Sequence, residues 1–307
     1  MATIHQRHLG WDNSVKPVAE IESGAELEFE VADASGGQLD ERSRADALTT
    51  LDFAKINPVT GPVFVKGAKP GDVLGVEILS LSLSGWGWTG IIPGFGLLAD
   101  EFPDPWLQIW KVQDNVATGI PGARIAARPF PGTIGVALAE PGVHSIVPPR
   151  QNGGNMDIKH LTRGARLLLP VWVEGALFSI GDTHVAQGDG EVCGTAIESP
   201  MTVALRFEIL RDRSIGEPEY TLPAGVSASP NSGGYHVTTG FSEDLREAAR
   251  KATRAMIAFL ASRYELSRPQ AYALASVCVD LRISEVVDVP NWLVSAFFPL
   301  FAMPRSR

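Results

Sequence analysis

Turn-forming residues recur so often in the first two-thirds of this 307-residue chain that long helices have no room between them. The chain holds 31 glycines and 22 prolines, and they divide that region into the short runs expected of strands joined by turns. The runs themselves have strand periodicity. In AELEFEV, from Ala25, the acids Glu26, Glu28 and Glu30 alternate with Leu27, Phe29 and Val31, a half-buried strand with its polar side outward. GPVFVKGAKPGDVLGVEILSLSL has the same character and turns at Pro70-Gly71-Asp72. SGWGWTGIIPGFG reads as a Gly/Trp-rich loop, after which LQIWKV resumes extended structure.

A second β-rich block starts near Pro129. ARLLLPVWVEGALFSIG is a pair of apolar runs broken at Glu174-Gly175, and TVALRFEIL places Val203, Leu205, Phe207 and Ile209 on one strand face. Past Thr239 the period becomes helical, with Leu245, Ala248, Ala249, Ala252, Met256 and Leu260 on one face and Ser242 placed to cap the start. A second helix opens at Ser267, where Ser267-Arg-Pro-Gln270 reads as a capping box. The chain is therefore expected to be mainly β, α+β overall, with two β-rich halves and a C-terminal helical hairpin. Soft boundaries fall at 1–128, 129–238 and 239–307, with a single compact domain as the alternative.

With 45% hydrophobic and 20% charged residues the chain has the composition of a globular protein. Its net charge of −9 argues against a nucleic-acid surface and against anionic membranes. No run approaches the length of a membrane span, and MATIHQRHLGWDN lacks the apolar core of a signal peptide. Cys193 and Cys278 form no C-x-x-C pair or disulfide framework, which fits a reducing, cytoplasmic setting.

Four polar clusters carry the candidate chemistry. His8 lies with Trp11, Asp12 and Asn13; Asp33, Gln38 and Asp40 lie in a glycine-containing loop; QNGGNMD spans Gln151 to Asp157; and GDTHVAQGDGEVCG spans Gly181 to Gly194. A solvated terminus and an ordinary turn explain the first two better than function does. In the last stretch Asp182 and His184, two apart on an extended segment, point to one side and offer the mixed oxygen–nitrogen donors of a zinc-type ion. Glu191 is placed to orient or deprotonate water. A solvated acidic hairpin explains the same spacing equally well. Cys193 offers a competing thiol nucleophile, although a buried structural cysteine is the commoner case.

Together NPVTGPVFVKGAKPGDVL, GWTGIIPGFGLL, PPRQNGGNMD, GDTHVAQGDGEVCGTAIE and DLRISEVVDVPN closely resemble the acetamidase/formamidase family, in the family's order and over nearly the whole chain. The resemblance implies a mostly β fold with sandwich- or barrel-like halves, homo-oligomers, and hydrolysis of a small linear amide to carboxylate and ammonia. It also implies divalent metal, zinc foremost and calcium as a second ion. Asp182 and His184 match the family's D-x-H, Asn155 and Asp157 its GGN-x-D, Glu191 its GDGE, and Glu198 closes GTAIE; His8 and Asp40 match N-terminal polar positions.

The expected site follows from that mapping. Asp182, His184, Asp40, His8 and Glu198 are the metal candidates, with Glu191, Asp182 and His184 catalytic. Asn155, Asp157, Gly154 and Trp88 contact substrate, and Trp86 and Phe95 are further walls. The tail from Trp292 is unusually apolar and is expected to bear on an oligomer contact. Two alternatives stand beside this site: a Cys193 amidase, and a non-catalytic β protein that binds a small polar ligand.

Overall fold

The alternation at Ala25 becomes the strand Glu26–Val31, whose buried side chains are Leu27, Phe29 and Val31. This strand belongs to a computed structural model of the protein that describes residues 1–224 and 234–304. It pairs with Ala2–Ile4 and Met201–Leu210, and the sheet continues through Val73–Leu83 and Arg166–Pro170 to Glu219–Thr221. A second sheet runs in the order Gly153–Asn155, Phe130–Gly135, Phe178–His184, Val59–Val65 and Arg7–His8, with Ala19–Ile21 parallel to Val59–Val65. The two sheets face each other across a dry layer. Phe178 of the second meets Phe207 of the first at 4.9 Å and Phe29 at 5.8 Å, both edge-on. Both sheets draw strands from either side of residue 129, and the main apolar core joins Ile4, Leu167 and Leu260.

Strands Ile125–Ala126, Val116–Thr118, Trp106–Gln113 and Trp86–Ile91 make a third sheet. The Gly/Trp-rich stretch expected to be a loop therefore contains a strand. Gly87 and Gly90 are read as breakers from sequence, but here they lie against neighbouring chain: a Cβ at Gly87 would sit 2.7 Å from the Glu198 carbonyl.

Two helices, α1 (Leu245–Tyr264) and α2 (Arg268–Cys278), form the expected hairpin. The α2 capping box is complete in both directions. The α1 cap is Asp244 rather than Ser242, because the strand Tyr235–Ser242 runs up to the helix start. The apolar tail is also a strand, Trp292–Pro299, paired on either side with Tyr235–Ser242 and Asp280–Glu285. Its continuous hydrophobicity suits a central strand packed on helices. No helix among the described residues is long and apolar enough to cross a membrane.

Candidate active site

Asp182 and His184 end the strand Phe178–His184, the middle strand of the second sheet, and both are buried. The backbone of Glu198 makes single bridges to His184 and to Trp88, so one residue ties this strand to the third sheet and turns its carboxylate inward. His184 Nε2 lies 3.2 Å from Asp182 Oδ1 and 3.0 Å from Glu198 Oε2. The other ring nitrogen, Nδ1, lies 3.0 Å from Gln187 Oε1. An amide oxygen only accepts, so Nδ1 carries the proton and donates to it. Phe130 closes one side of the ring edge-on at 5.0 Å.

The second half of the site comes from the segment after Gly153–Asn155. Asn155 donates to Asp157 Oδ2 at 3.1 Å, and Gln187 Nε2 donates to the Asp157 carbonyl at 2.9 Å. Gln187 thus holds His184 and Asp157 with one side chain. Close approach is possible because residue 132 is glycine, where a Cβ would stand 2.6 Å from Asp157 Oδ1 and 2.8 Å from His184 Cε1. Asp157, Asp182 and Glu191 all have left-handed backbone, with φ of 50°, 52° and 42°. Non-glycine residues reach that region only when their surroundings impose it, and such strain clusters at functional sites.

The loop carrying Glu191 is held from behind by α2. Ser276 Oγ accepts from the Cys193 amide at 3.1 Å and donates to the Thr195 carbonyl at 2.7 Å. Tyr272 donates to the Val192 carbonyl and accepts from the Leu98 amide at 2.9 Å. Gly188 makes the packing possible, since a Cβ there would stand 2.0 Å from the Val279 carbonyl at the helix end. The glycines of GDTHVAQGDGEVCG therefore serve contact with the second helix as well as turning.

The result is four carboxylates around one imidazole. Asp157, His184 and Glu191 form one group, and Asp182, His184 and Glu198 another, each with ligand atoms within 4.8 Å of one another. Burial pushes the Asp157 carboxyl up to about 7 and Glu198 up to about 8. Burial, reinforced by Asp157, lifts Glu191 well above the usual carboxylate range. Burial opposes charge on Asp182 and His184 too, but their mutual attraction outweighs it: Asp182 is held below its ordinary value, and Glu198 with Asp182 raises His184 well above its own. The buried oxygens Asp157 Oδ1 and Glu198 Oε2 have no hydrogen-bond donor, although Glu198 Oε2 lies within ion-pair distance of the imidazole. Acceptor-rich groups left open in this way, beside one imidazole, fit a divalent cation.

A cavity of about 500 Å³ opens onto this cluster, with Asn155, Asp157, Asp182, Glu191, Thr195 and Glu198 at its polar end. His184 is not in its wall and acts on it through the carboxylates.

The whole chain can be compared with known proteins on this footing. The model of the Acetamidase/Formamidase family matches residues 2–146 and 138–303. The chain belongs to the acetamidase/formamidase family. It is 30% identical to an acetamidase of Mycolicibacterium smegmatis over 66% of each chain, and 28% identical to a formamidase of Methylophilus methylotrophus over 98% of this chain and 91% of that one. Among solved structures, a gamma lactamase from Delftia acidovorans superposes with TM-score 0.93 at 27% identity, covering 100% of this chain and 94% of its own. An acetamidase from Bacillus halodurans gives 0.69 at 30% identity, with 97% of each chain covered.

Trp88 is buried beside the cavity and donates from its indole to Asp33 Oδ1 at 3.0 Å. Phe95 lines the cavity; Trp86 and Gly154 do not, and Gly154 backs onto Trp11. Two of the expected metal ligands are not brought to the cluster. The exposed Asp40 carboxylate caps its own turn through the Arg42 amide, and His8 is engaged with Ser179 Oγ at 2.8 Å and the Gly10 carbonyl. Asp40 finds its partner within its own turn, whereas His8 is held by Gly10 two residues on and by Ser179 of the distant strand Phe178–His184. Cys193 lies in a turn rather than a strand, fully buried, its thiol against the Gly90 carbonyl and Thr195, and burial pushes its pKa up. Asp189 pairs with Lys159 at 3.2 Å, outside the cluster. Sequence reasoning passed over Gln187 because it is neutral; its place three residues after His184 in the same stretch was the available signal.

Proposed function

We propose that this protein hydrolyses the C–N bond of short amides, releasing a carboxylate and ammonia, with Asp157, Asp182, His184, Glu191 and Glu198 as the reaction centre. The single observation that carries the siting is the strained, largely buried carboxylate cluster lining the cavity. Amide resonance makes the carbonyl a poor electrophile, so water must lose a proton as it attacks and the nitrogen must gain one as it leaves. Glu191, lifted by burial above the usual carboxylate range, is a stronger base than a solvated carboxylate and is placed to take that proton and return it. Asn155 and Thr195 at the polar end orient the amide. In metal-free protein His184, fixed through Gln187 and buried beside Asp182, supplies the positive charge that keeps Asp182 ionised; with a metal bound the ring is neutral and the ion takes over that role.

Asp182, His184 and Glu198, with Asp157, are the residues that would hold a divalent ion, zinc by the imidazole–carboxylate set and calcium as a second, oxygen-bound ion, leaving Glu191 free as the base. Bound there, such an ion supplies Lewis acidity and makes water easier to deprotonate. The ligand set proposed here omits His8 and Asp40. The protein is further read as a cytoplasmic homo-oligomer; exposed Phe241, Ile283 and Val287 near the C-terminal sheet suit a subunit contact.

A second reading keeps the chemistry and closes the substrate into a ring. The 0.93 superposition on the gamma lactamase favours it. Opening a cyclic amide yields an amino acid and no free ammonia. The test is to assay ammonia from formamide, acetamide and propionamide, and ring opening of a γ-lactam, on protein as purified, after chelation and after adding zinc back. Loss on chelation with recovery on zinc supports the full reading; activity indifferent to chelation removes the metal; no reaction with any of the four substrates removes the amidase reading.

A further inference from the structure

Acetamide has four heavy atoms, whereas the cavity holds about 500 Å³, the size that encloses ligands several times larger. Most of its polar lining is the reaction centre with Asn155 and Thr195, and Ser35 and Asn57 are the other polar residues there. The rest is apolar wall from three separate loops: Leu51, Phe53 and Ile56 before the strand Val59–Val65, Ile92 and Phe95 after Trp86–Ile91, and Val147 ahead of Gly153–Asn155. Phe53, Phe95 and Val147 keep 58%, 46% and 39% of their surface exposed. Three independent loops bring bare hydrocarbon to one opening, which a substrate of formamide's size would not cover. No lysine or arginine is among the described residues of the lining, so nothing there neutralises an anionic substituent.

We infer that the cavity selects neutral amides carrying an apolar group of about five to eight carbons in preference to formamide and acetamide. The inference rests on the amide-hydrolase reading and adds the shape and polarity of the acyl group. The amide seats at Asn155 and Thr195 while the hydrocarbon lies along Leu51, Ile56 and Ile92, displacing water from walls that bind it poorly. Hydrolysis remains balanced as before: the amide and one water give the longer carboxylate and ammonia.

The test is kcat/KM for formamide, acetamide, butyramide, hexanamide, cyclohexanecarboxamide and succinamate, the last bearing a terminal carboxylate. Each methylene buried against the walls is expected to raise kcat/KM about fourfold until the cavity is filled. Hexanamide and cyclohexanecarboxamide should therefore exceed acetamide by at least roughly tenfold, and succinamate should fall below butyramide. Filling the space with Leu51→Trp or, separately, Ile92→Trp should lower the hexanamide-to-acetamide ratio in each variant. Ammonia from formamide and acetamide with no gain from longer chains overturns this inference and leaves the amidase reading intact. Ammonia from no amide overturns both.

Discussion

Two clusters of charge in this molecule obey opposite rules. On the α1 surface, Arg250 holds both oxygens of Asp100 at 2.7 Å, Arg254 bonds Glu101 at 2.5 Å and Glu247 at 2.8 Å, and Arg268 approaches Glu101 at 3.5 Å. Three cations meet three anions near solvent. Around His184, four carboxylates meet one imidazole, Asp182 and Glu198 buried and Asp157 and Glu191 half-buried, three of them on left-handed backbone and two with a buried oxygen lacking any donor. The first arrangement is what folding alone tolerates. The second costs stability and persists because the sheets, Gly132 and α2 impose it. An abundance of charge says little about function; imbalance in a largely buried place says much.

The largest effects should come from breaking the largely buried cluster. His184→Ala removes the one positive partner of Asp182 and Glu198, and is expected to abolish measurable amide hydrolysis. It should also destabilise metal-free protein by about 3–5 kcal/mol, as for a buried ion pair stripped of one member. Arg254→Ala in the surface network should cost about 1 kcal/mol or less and leave kcat unchanged. Denaturant titration with ammonia assays on both variants reads the contrast, and equal losses would erase it.

A middle-sized effect is expected in pH dependence, with opposite signs for the two clusters. Asp157 near 7 and Glu198 near 8 hold protons that the unfolded chain has already released, so native protein binds more protons between about pH 4 and 8. Their contribution is full below about pH 4 and is lost as pH rises through 7 to 8 in metal-free protein. Zinc, which favours the deprotonated carboxylates, should flatten that loss. Asp100 and Glu247 are instead held low by their arginines, so their contribution is present at neutrality and lost on acidification; being exposed, they contribute little. Melting temperature against pH, with chelator and with zinc, checks the signs.

The comparison also explains what was legible in the sequence. The strands Glu26–Val31 and Met201–Leu210 announced themselves because alternation is a local signal. So did the α2 capping box. Trp86–Ile91 and Trp292–Pro299 did not, since a glycine-rich run and a mostly apolar run become strands only against partners distant in sequence. At the site, D-x-H and GGN-x-D were visible as motifs, but local spacing could not tell that Glu198 would cross both His184 and Trp88 while Asp40 satisfied itself within its own turn. Cys193 carried the same ambiguity: the sequence shows a thiol beside an acid, and only the packing against Gly90, Thr195 and Ser276 shows it turned inward.

The most direct measurement is therefore kcat/KM for acetamide and hexanamide in Glu191→Gln and Cys193→Ala, each with folding checked by circular dichroism. The carboxylate account predicts a loss of roughly a hundredfold or more in Glu191→Gln, the scale of general acid–base catalysis, with Cys193→Ala within about twofold of the parent protein. Full activity in Glu191→Gln with loss in a folded Cys193→Ala would contradict it and move the chemistry to the thiol.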